Sequence, residues 1–336
     1  MVGKGTTATQ QWLITGGCGF IGTNLIAHLF SHNPAVRIRV LDDLSTGTRE
    51  GLAAVCEFVE TDQTGLQTPS FSDGKVDLIV GDIRDYETCL LCSEGMDVVM
   101  HLAANTGVQP SIQDPRADME SNVMGTFNLL EAARHQGVKR FIFASSGAPL
   151  GEVVPPIHEE KAPKPVSPYG ASKLAGEAYC SAYFRTFGIK TVALRFGNVY
   201  GPRSKHKGSV IAKFFRQALN GEPLEIYGDG HQTRDFIYID DLIQAIMLSV
   251  EADAGGEVFQ IATHKETTVN EIAQMVKTLV ESKTGRKVTI LYGDSKPGEV
   301  RRNYSDISKA RTILGYEPQY DLKGGMTNTL QFFLPS

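Results

Sequence analysis

The stretch WLITGGCGFIG (Trp12 to Gly22), running into NLIAHLF (Asn24 to Phe30), decides the fold of this chain. Trp12 to Thr15 read as a strand, the glycines as a tight turn, and the periodic apolar positions from Leu25 as a helix. Gly16, Gly19 and Gly22 are spaced GxxGxxG. Strand, glycine turn and helix in that order are the context a dinucleotide fingerprint needs. Glycines let backbone N–H groups approach a pyrophosphate, which also gains from the helix N-terminus. RIRVLDD (Arg37 to Asp43) then reads as a second strand, with Asp42 twenty residues after Gly22. A carboxylate there accepts hydrogen bonds from both adenosine ribose hydroxyls and repels a 2′-phosphate, so the expected cofactor is NAD rather than NADP.

Further units extend the pattern. VDLIVGDIRD ends a strand with Asp82 and Ile83, placed to meet the adenine. VVMHLAA ends another with Leu102, Ala103 and Ala104, where small side chains let a cofactor lie against the backbone. ESNVMGTFNLLEAARHQG carries Val123, Phe127 and Leu130 at helical spacing, and KRFIFASS returns as a strand ending at Ser146. Alternating units of this length predict a Rossmann-like, doubly wound parallel sheet with ligands at the carboxyl ends of its strands.

Downstream, SPYGASKLAGEAY places Tyr169 and Lys173 four residues apart, on one face of a helix. A lysine ammonium one turn away stabilises a phenolate, so a downward shift of Tyr169 from about 10 is expected. Such a tyrosine takes a proton from a sugar or alcohol hydroxyl.

With 336 residues, 41% of them apolar, the chain can bury a full core. A net charge of −5 offers no field for nucleic acid or anionic membrane. No apolar run reaches the roughly 18 residues of a membrane span. MVGKGTTATQQ lacks the apolar centre of a secretory signal, so the expected compartment is the cytoplasm. Cys18, Cys56, Cys89, Cys92 and Cys180 are odd in number and scattered, against a disulfide framework. Cys89 and Cys92 form a CxxC without a second pair, which reads as helix packing; no metal is expected.

GxxGxxG, GDIRD, HLAA, SS and YxxxK, in that order, resemble the extended short-chain dehydrogenase/reductase family, and within it the NAD-dependent nucleotide-sugar epimerases and dehydratases. LRFGNVYGPR, GEPLEIYGDGHQTRDFIYIDD and KPGEVRRNYSDISKA extend the resemblance to about Pro318. It implies a catalytic set of Ser146, Tyr169 and Lys173, with Lys173 also on the nicotinamide ribose. Phe20 and Ile21 would meet the pyrophosphate. Asp42, Asp43, Leu44, Ser45, Thr46 and Gly47 would surround the adenosine ribose, with Thr106 and Asn122 near the cofactor. A nucleotide-diphosphate sugar would meet Ser146, Asn198, Ser209, Val210, Tyr227 and Arg234, then Lys296, Glu299, Arg301 and Asn303. Lys296 replaces the family's second diphosphate arginine, and either it or Arg301 would supply that charge.

The resemblance also separates reactions. Dehydratases carry Asp-Glu after the hydroxyl residue; here Gly147 and Ala148 follow Ser146 and move no proton. The expected activity is therefore 4-epimerisation of a UDP-sugar of the glucose/galactose type. Asn303, smaller than the tyrosine of the type enzyme, would admit N-acetylated sugars. Other readings are a reductase, an epimerase at another carbon, or a silent NAD-binding sensor. Domains are expected at 12–200 plus 235–263 for NAD, and at 201–234 and 264–336, a smaller discontinuous C-terminal unit, for the nucleotide sugar. Helices starting near Asp118 and Tyr169 would pair two copies, with Ala171, Leu174, Ala175, Ala178 and Ala182 on a small apolar face. Val55 to Lys75 reads as a long polar loop.

Overall fold

The computed structural model describes residues 10–61, 76–294 and 301–334. Its strands are β1 (Gln11–Thr15), β2 (Arg37–Asp42), β3 (Phe58–Thr61), β4 (Val76–Val80), β5 (Val98–His101), β6 (Arg140–Ser146), β7 (Lys190–Phe196), β8 (Asn198–Tyr200), β9 (Leu224–Tyr227), β10 (Thr233–Arg234), β11 (Phe236–Tyr238), β12 (Glu257–Ile261), β13 (Thr267–Thr268) and β14 (Ile290–Gly293). The helices are α1 (Phe20–His32), α2 (Arg49–Ala53), α3 (Tyr86–Ser93), α4 (Val108–Gln113), α5 (Pro115–Met119), α6 (Gly125–His135), α7 (Pro168–Phe187), α8 (Val210–Asn220), α9 (Ile239–Glu251), α10 (Val269–Thr284), α11 (Ser308–Leu314) and α12 (Leu322–Phe333).

Eight strands build one parallel sheet in the order β12-β7-β6-β5-β1-β2-β4-β3. Parallel neighbours need crossovers, and helices cover both faces. The pleat sends Trp12, Ile14, Val40, Met100 and Ile142 into one core and Leu13, Leu41, Val99, Phe141 and Phe143 into the other. Leu25 of α1 and Leu242 of α9 close the first; Cys89 of α3, Leu129 of α6 and Cys180 of α7 close the second. The first core runs on through Phe214, Val276 and Phe333, so the C-terminal lobe shares it. This is a Rossmann-like, doubly wound α/β fold.

Strand order reverses at β1, which has β2 on one side and β5 on the other. The crevice at that reversal is where such sheets bind ligands. On α7, Ser167 Oγ accepts the Gly170 N–H at 3.1 Å, Pro168 opens the first turn, and Gly188 closes the helix with φ +75°. Both ends of α7 thus carry the local chemistry they require.

Three expectations change. The helix read as starting near Asp118 begins at Pro115, capped by Asp114 Oδ1 on the Ala117 N–H at 3.0 Å. A wide π turn, Glu120–Met124, then offsets it from α6, so its buried side is Asn122, Thr126, Leu129, Leu130 and Ala133, while Val123 and Phe127 are only half-buried. Finally, the polar segment from Val55 holds β3, paired in parallel with β4 at the sheet edge. Residues 62–75 of it lie outside the described residues.

Candidate active site

β1 ends at Thr15, and Gly16 turns the chain with φ +69° while donating to Leu41 O at 2.8 Å. A Cβ on Gly16 would lie 2.8 Å from Ala103 N, one on Gly22 2.5 Å from Gly17 Cα, and one on Gly47 2.5 Å from Cys18 C. The glycine turn, the end of β5 and the 43–47 loop therefore meet backbone to backbone. At Gly19, α1 opens without a side-chain cap. The N–H groups of Phe20, Ile21 and Gly22 have no acceptor among the described residues. Three open donors at the positive end of a helix suit a pyrophosphate.

Asp42, 6% exposed, closes the far side of this cradle. Its Oδ2 accepts the Cys18 N–H and its Oδ1 the Leu44 N–H, both at 2.9 Å. Burial pushes its carboxyl upward, opposed by those two bonds. Each oxygen keeps a lone pair for a ribose hydroxyl. Asp43 Oδ1 collects the Ser45 N–H at 2.9 Å and hydroxyl at 2.6 Å, bracing the loop beside exposed Thr46. Leu102 and Ala103 donate to Thr15 O and Oγ1 at 3.1 and 3.2 Å, holding the HLAA backbone in the crevice with half-buried Ala104. Thr106 is exposed. The Asp82 carboxylate takes the Arg84 N–H and Nε, both at 2.8 Å, which draws it below the usual range. Ile83 wedges against Gly125, where a Cβ would lie 2.5 Å from Ile83 Cδ1. The cradle fits a dinucleotide.

Tyr169, Lys173 and Ser146 meet at the carboxyl end of β6. Ser146 hydrogen-bonds Tyr169 and accepts the Ala148 N–H at 3.2 Å. Lys173, 3% exposed, donates Nζ to Ala144 O at 2.9 Å and lies 5.9 Å from the Tyr169 ring centroid. Burial lowers its ammonium to about 8. Tyr169 is pushed up to about 12 by burial, against the pull of Ser146. The expected downward shift is thus corrected for the chain alone. Desolvation of the phenol outweighs the Ser146 hydrogen bond, and the Asp118 carboxylate adds to the rise.

On the C-terminal side, exposed Asn198 starts β8, which pairs with β11. Ser209 stands at the N-cap of α8 before Val210, its buried Oγ without a hydrogen-bond partner among the described residues. Tyr227 accepts from Lys213 Nζ at 3.1 Å, and Arg234 Nη1 donates to Thr233 O at 2.7 Å. Asp235 receives Thr263 N–H and Oγ1 at 2.8 and 2.6 Å, His264 N–H at 3.0 Å and Ser305 N–H at 3.2 Å. Arg301 forks onto Asp229 at 3.0 and 2.8 Å. Asn303 borders the loop after Ser146: a Cβ on Gly147 would lie 3.9 Å from its Nδ2. Ile157 N–H on Tyr304 O at 2.9 Å and Asp306 N–H on Ile157 O at 2.8 Å stitch the two segments together. Lys296 and Glu299 lie outside the described residues.

Two braces escaped the sequence reading. Asn122, expected near the cofactor, is 1% exposed and donates to Asn105 O and Asp118 Oδ1 at 2.9 Å and Ser172 Oγ at 3.1 Å. It ties the β5 loop to α7. Thr126 donates to Asn122 O at 2.7 Å and therefore accepts from His101 Nε2 at 2.9 Å, leaving His101 Nδ1 to accept from Thr15 Oγ1 at 2.8 Å. Burial holds His101 down to about 3, so it is neutral. Behind Lys173, Glu177 receives Arg195 Nε and Nη2 at 2.7 Å each, and Ser145 Oγ. The legible signals were the i, i+4 pairs Asn122–Thr126 and Lys173–Glu177. Cys89 and Cys92 are buried free thiols in the second core, and among the described residues no His, Cys, Asp or Glu cluster is placed to hold a metal.

Residues 12–262 match the model of the NAD dependent epimerase/dehydratase family. The UDP-glucose 4-epimerase of Mycolicibacterium smegmatis is 34% identical over 328 residues, covering 96% of this chain and 98% of that protein. The crystal structure of UDP-glucose 4-epimerase with UDP-glucose from Thermotoga maritima has a TM-score of 0.84 at 34% identity, covering 96% of this chain and 98% of that one. UDP-N-acetylglucosamine 4-epimerase from Methanobrevibacter ruminantium M1, in complex with UDP-N-acetylmuramic acid, has a TM-score of 0.82 at 30% identity, covering 96% and 98%. The likeness spans the glycine cradle, the Tyr-Lys helix and the C-terminal lobe alike, and the chain belongs to the NAD-dependent epimerase/dehydratase family.

Proposed function

We propose that this chain is an NAD-dependent nucleotide-sugar 4-epimerase acting on UDP-linked sugars. The observation that carries the reading is local. Ser146, Tyr169 and Lys173 converge, and the next two positions are Gly147 and Ala148, which exchange no proton. Gly147 faces Ile157 and Asn303, and Ala148 O lies against Gly170. Elimination of water needs an acid and a base beside the sugar, so oxidation at carbon 4 and its reversal remain.

Tyr169, as phenolate, accepts the proton of the 4-hydroxyl, with Ser146 Oγ orienting the same oxygen. Lys173, locked on Ala144 O, adds the positive charge that stabilises the phenolate. A bound NAD⁺ would supply the hydride acceptor and donor for carbon 4, and its positive ring would favour ionised Tyr169. Tyr169 then gives the proton back to the oxygen of the turned sugar. Asn198 and Arg234 would hold the diphosphate, with Ser209, Val210 and Tyr227 lining the nucleotide-sugar pocket and either Lys296 or Arg301 supplying a second charge. Arginine suits this role through its fork.

The cofactor unit comprises 12–200 plus 235–263, and the sugar unit 201–234 and 264–336. Asn303 beside Gly147 leaves room at the sugar's carbon 2, which supports N-acetylated substrates, as does the relative holding UDP-N-acetylmuramic acid. Two copies would pair through α7: Ala171, Ala178 and Ala182 are exposed, with Tyr179, Met119 and Met124 beside them. No described helix is long and apolar enough to cross a membrane, and a cytoplasmic location is part of the proposal.

The test is incubation, without added cofactor, with UDP-glucose, UDP-galactose, their N-acetyl forms and UDP-glucuronate separately, read by NMR. Inversion at carbon 4 without net NADH supports the reading. Stoichiometric consumption of added NADH would make it a reductase, and binding without turnover would make it a sensor.

A further inference from the structure

The segment from Gly201 to Ser209 is fastened to the start of α1. Arg203 Nη1 donates to Asn24 Oδ1 at 2.8 Å, and Asn24 Nδ2 donates to Pro202 O at 3.2 Å and Phe20 O at 2.7 Å. Ser204 Oγ donates to Gly201 O at 2.6 Å, and the Lys207 N–H donates to Ser204 O at 2.8 Å. Arg216 Nη1 reaches Lys205 O and Lys207 O, both at 2.6 Å. These bonds lay Lys207 over the first turn of α1, with Nζ 5.0 Å from the centroid of the Phe20 ring.

Phe20 opens α1 and carries one of the three open N–H groups of the glycine cradle. The Lys207 ammonium has no hydrogen bond and no carboxylate among the described residues. Half-buried, it is pushed down to about 8 by desolvation alone. A phenylalanine face recovers only part of that cost. The neighbouring helix terminus is itself positive, which adds repulsion. Two positive groups held together by a built loop are reconciled by an anion between them.

We propose that Lys207 binds the pyrophosphate of the dinucleotide, clamping it onto the N-terminus of α1 from the C-terminal lobe. The dinucleotide would then bridge both lobes and be retained between turnovers. The inference uses the NAD site alone and is independent of which sugar is turned over.

Calorimetric titration of nucleotide-free protein with NAD⁺, ADP-ribose and UDP tests it in the parent, Lys207→Met and Lys207→Arg. Loss of one charge-assisted contact predicts affinities for NAD⁺ and ADP-ribose about tenfold to a hundredfold weaker in Lys207→Met. UDP binding stays unchanged, and Lys207→Arg restores most of the loss. Nucleotide-free Lys207→Met should also melt at a higher temperature, because an unpaired cation has gone; a lysine with a purely structural role would give the opposite. Lys207→Gln repeats the measurement if the methionine variant does not fold. Unchanged NAD⁺ and ADP-ribose affinity overturns the proposal. So does a loss confined to UDP, which would place the ammonium on the sugar nucleotide.

Discussion

Glu177→Gln is the most informative single perturbation of the framework behind the catalytic helix. Glu177 and Arg195 have side chains only 4% and 3% exposed and share two bonds of 2.7 Å. The amide keeps the shape but leaves the Arg195 guanidinium buried without its counter-charge. Breaking a buried pair from one side costs about 3–5 kcal/mol, against a total stability of about 5–15 kcal/mol for ordinary domains. Urea denaturation at pH 7.5 should show a loss of that size. A double variant, Glu177→Leu with Arg195→Met, should recover most of it, since both charges leave together. Chemistry responds as well: Glu177 and Asp118 hold the Lys173 ammonium up against burial, at about 8. Without Glu177 that ammonium deprotonates at lower pH, and the alkaline limb of the rate profile should move down with it. A loss below about 1 kcal/mol, or a double variant no better than the single one, would refute this account of the pair.

Other consequences follow from single side chains. Tyr169→Phe should cut turnover by about 10²–10⁴-fold while leaving the circular dichroism spectrum intact; a smaller drop in steady-state rate would remove Tyr169 as the base. Gly22→Ala puts a Cβ 2.5 Å from Gly17 Cα and 2.6 Å from Gly17 O, so NAD released on denaturation should fall to near zero. Glu131, bound by Arg134 at 2.8 and 2.7 Å and Tyr183 at 2.6 Å, titrates at about 2, below its ordinary value of 4.5. Its stabilisation is therefore present above pH 4.5 and lost as pH falls towards 2. Partial exposure discounts it to about 1–2 kcal/mol, so parent and Glu131→Gln melts should differ at pH 7 and converge near pH 2. Asn303→Tyr should suppress turnover of N-acetylated sugars while sparing the plain ones, measured as a ratio of kcat/KM; an unchanged ratio would contradict its placement beside the sugar.

The local units were the legible ones. WLITGG announces strand, turn and helix within a dozen residues, and strands buried on both faces read as unbroken apolar runs. β3 was missed because Val59 and Glu60 are exposed, so only pairing with β4 makes FVET a strand. Spacing pointed to Tyr169 with Lys173 and the family resemblance to Ser146, but the ionisation of Tyr169 was not legible, because burial is a property of the assembled lobe. The bracing role of Asn122 was not legible, since its partners Asn105 and Ser172 are distant in sequence on different elements. Arg301 likewise meets Asp229 across 72 residues. Spacing reports neighbours along the chain, whereas these assignments depend on neighbours in space.

Transfer of deuterium is the most direct measurement of the central claim. UDP-glucose carrying deuterium at carbon 4 should be converted, with no added cofactor, to its 4-epimer with the deuterium still on carbon 4 and no net reduced cofactor. Deuterium lost to water, or left on accumulating NADH, would contradict transient oxidation and return at that carbon.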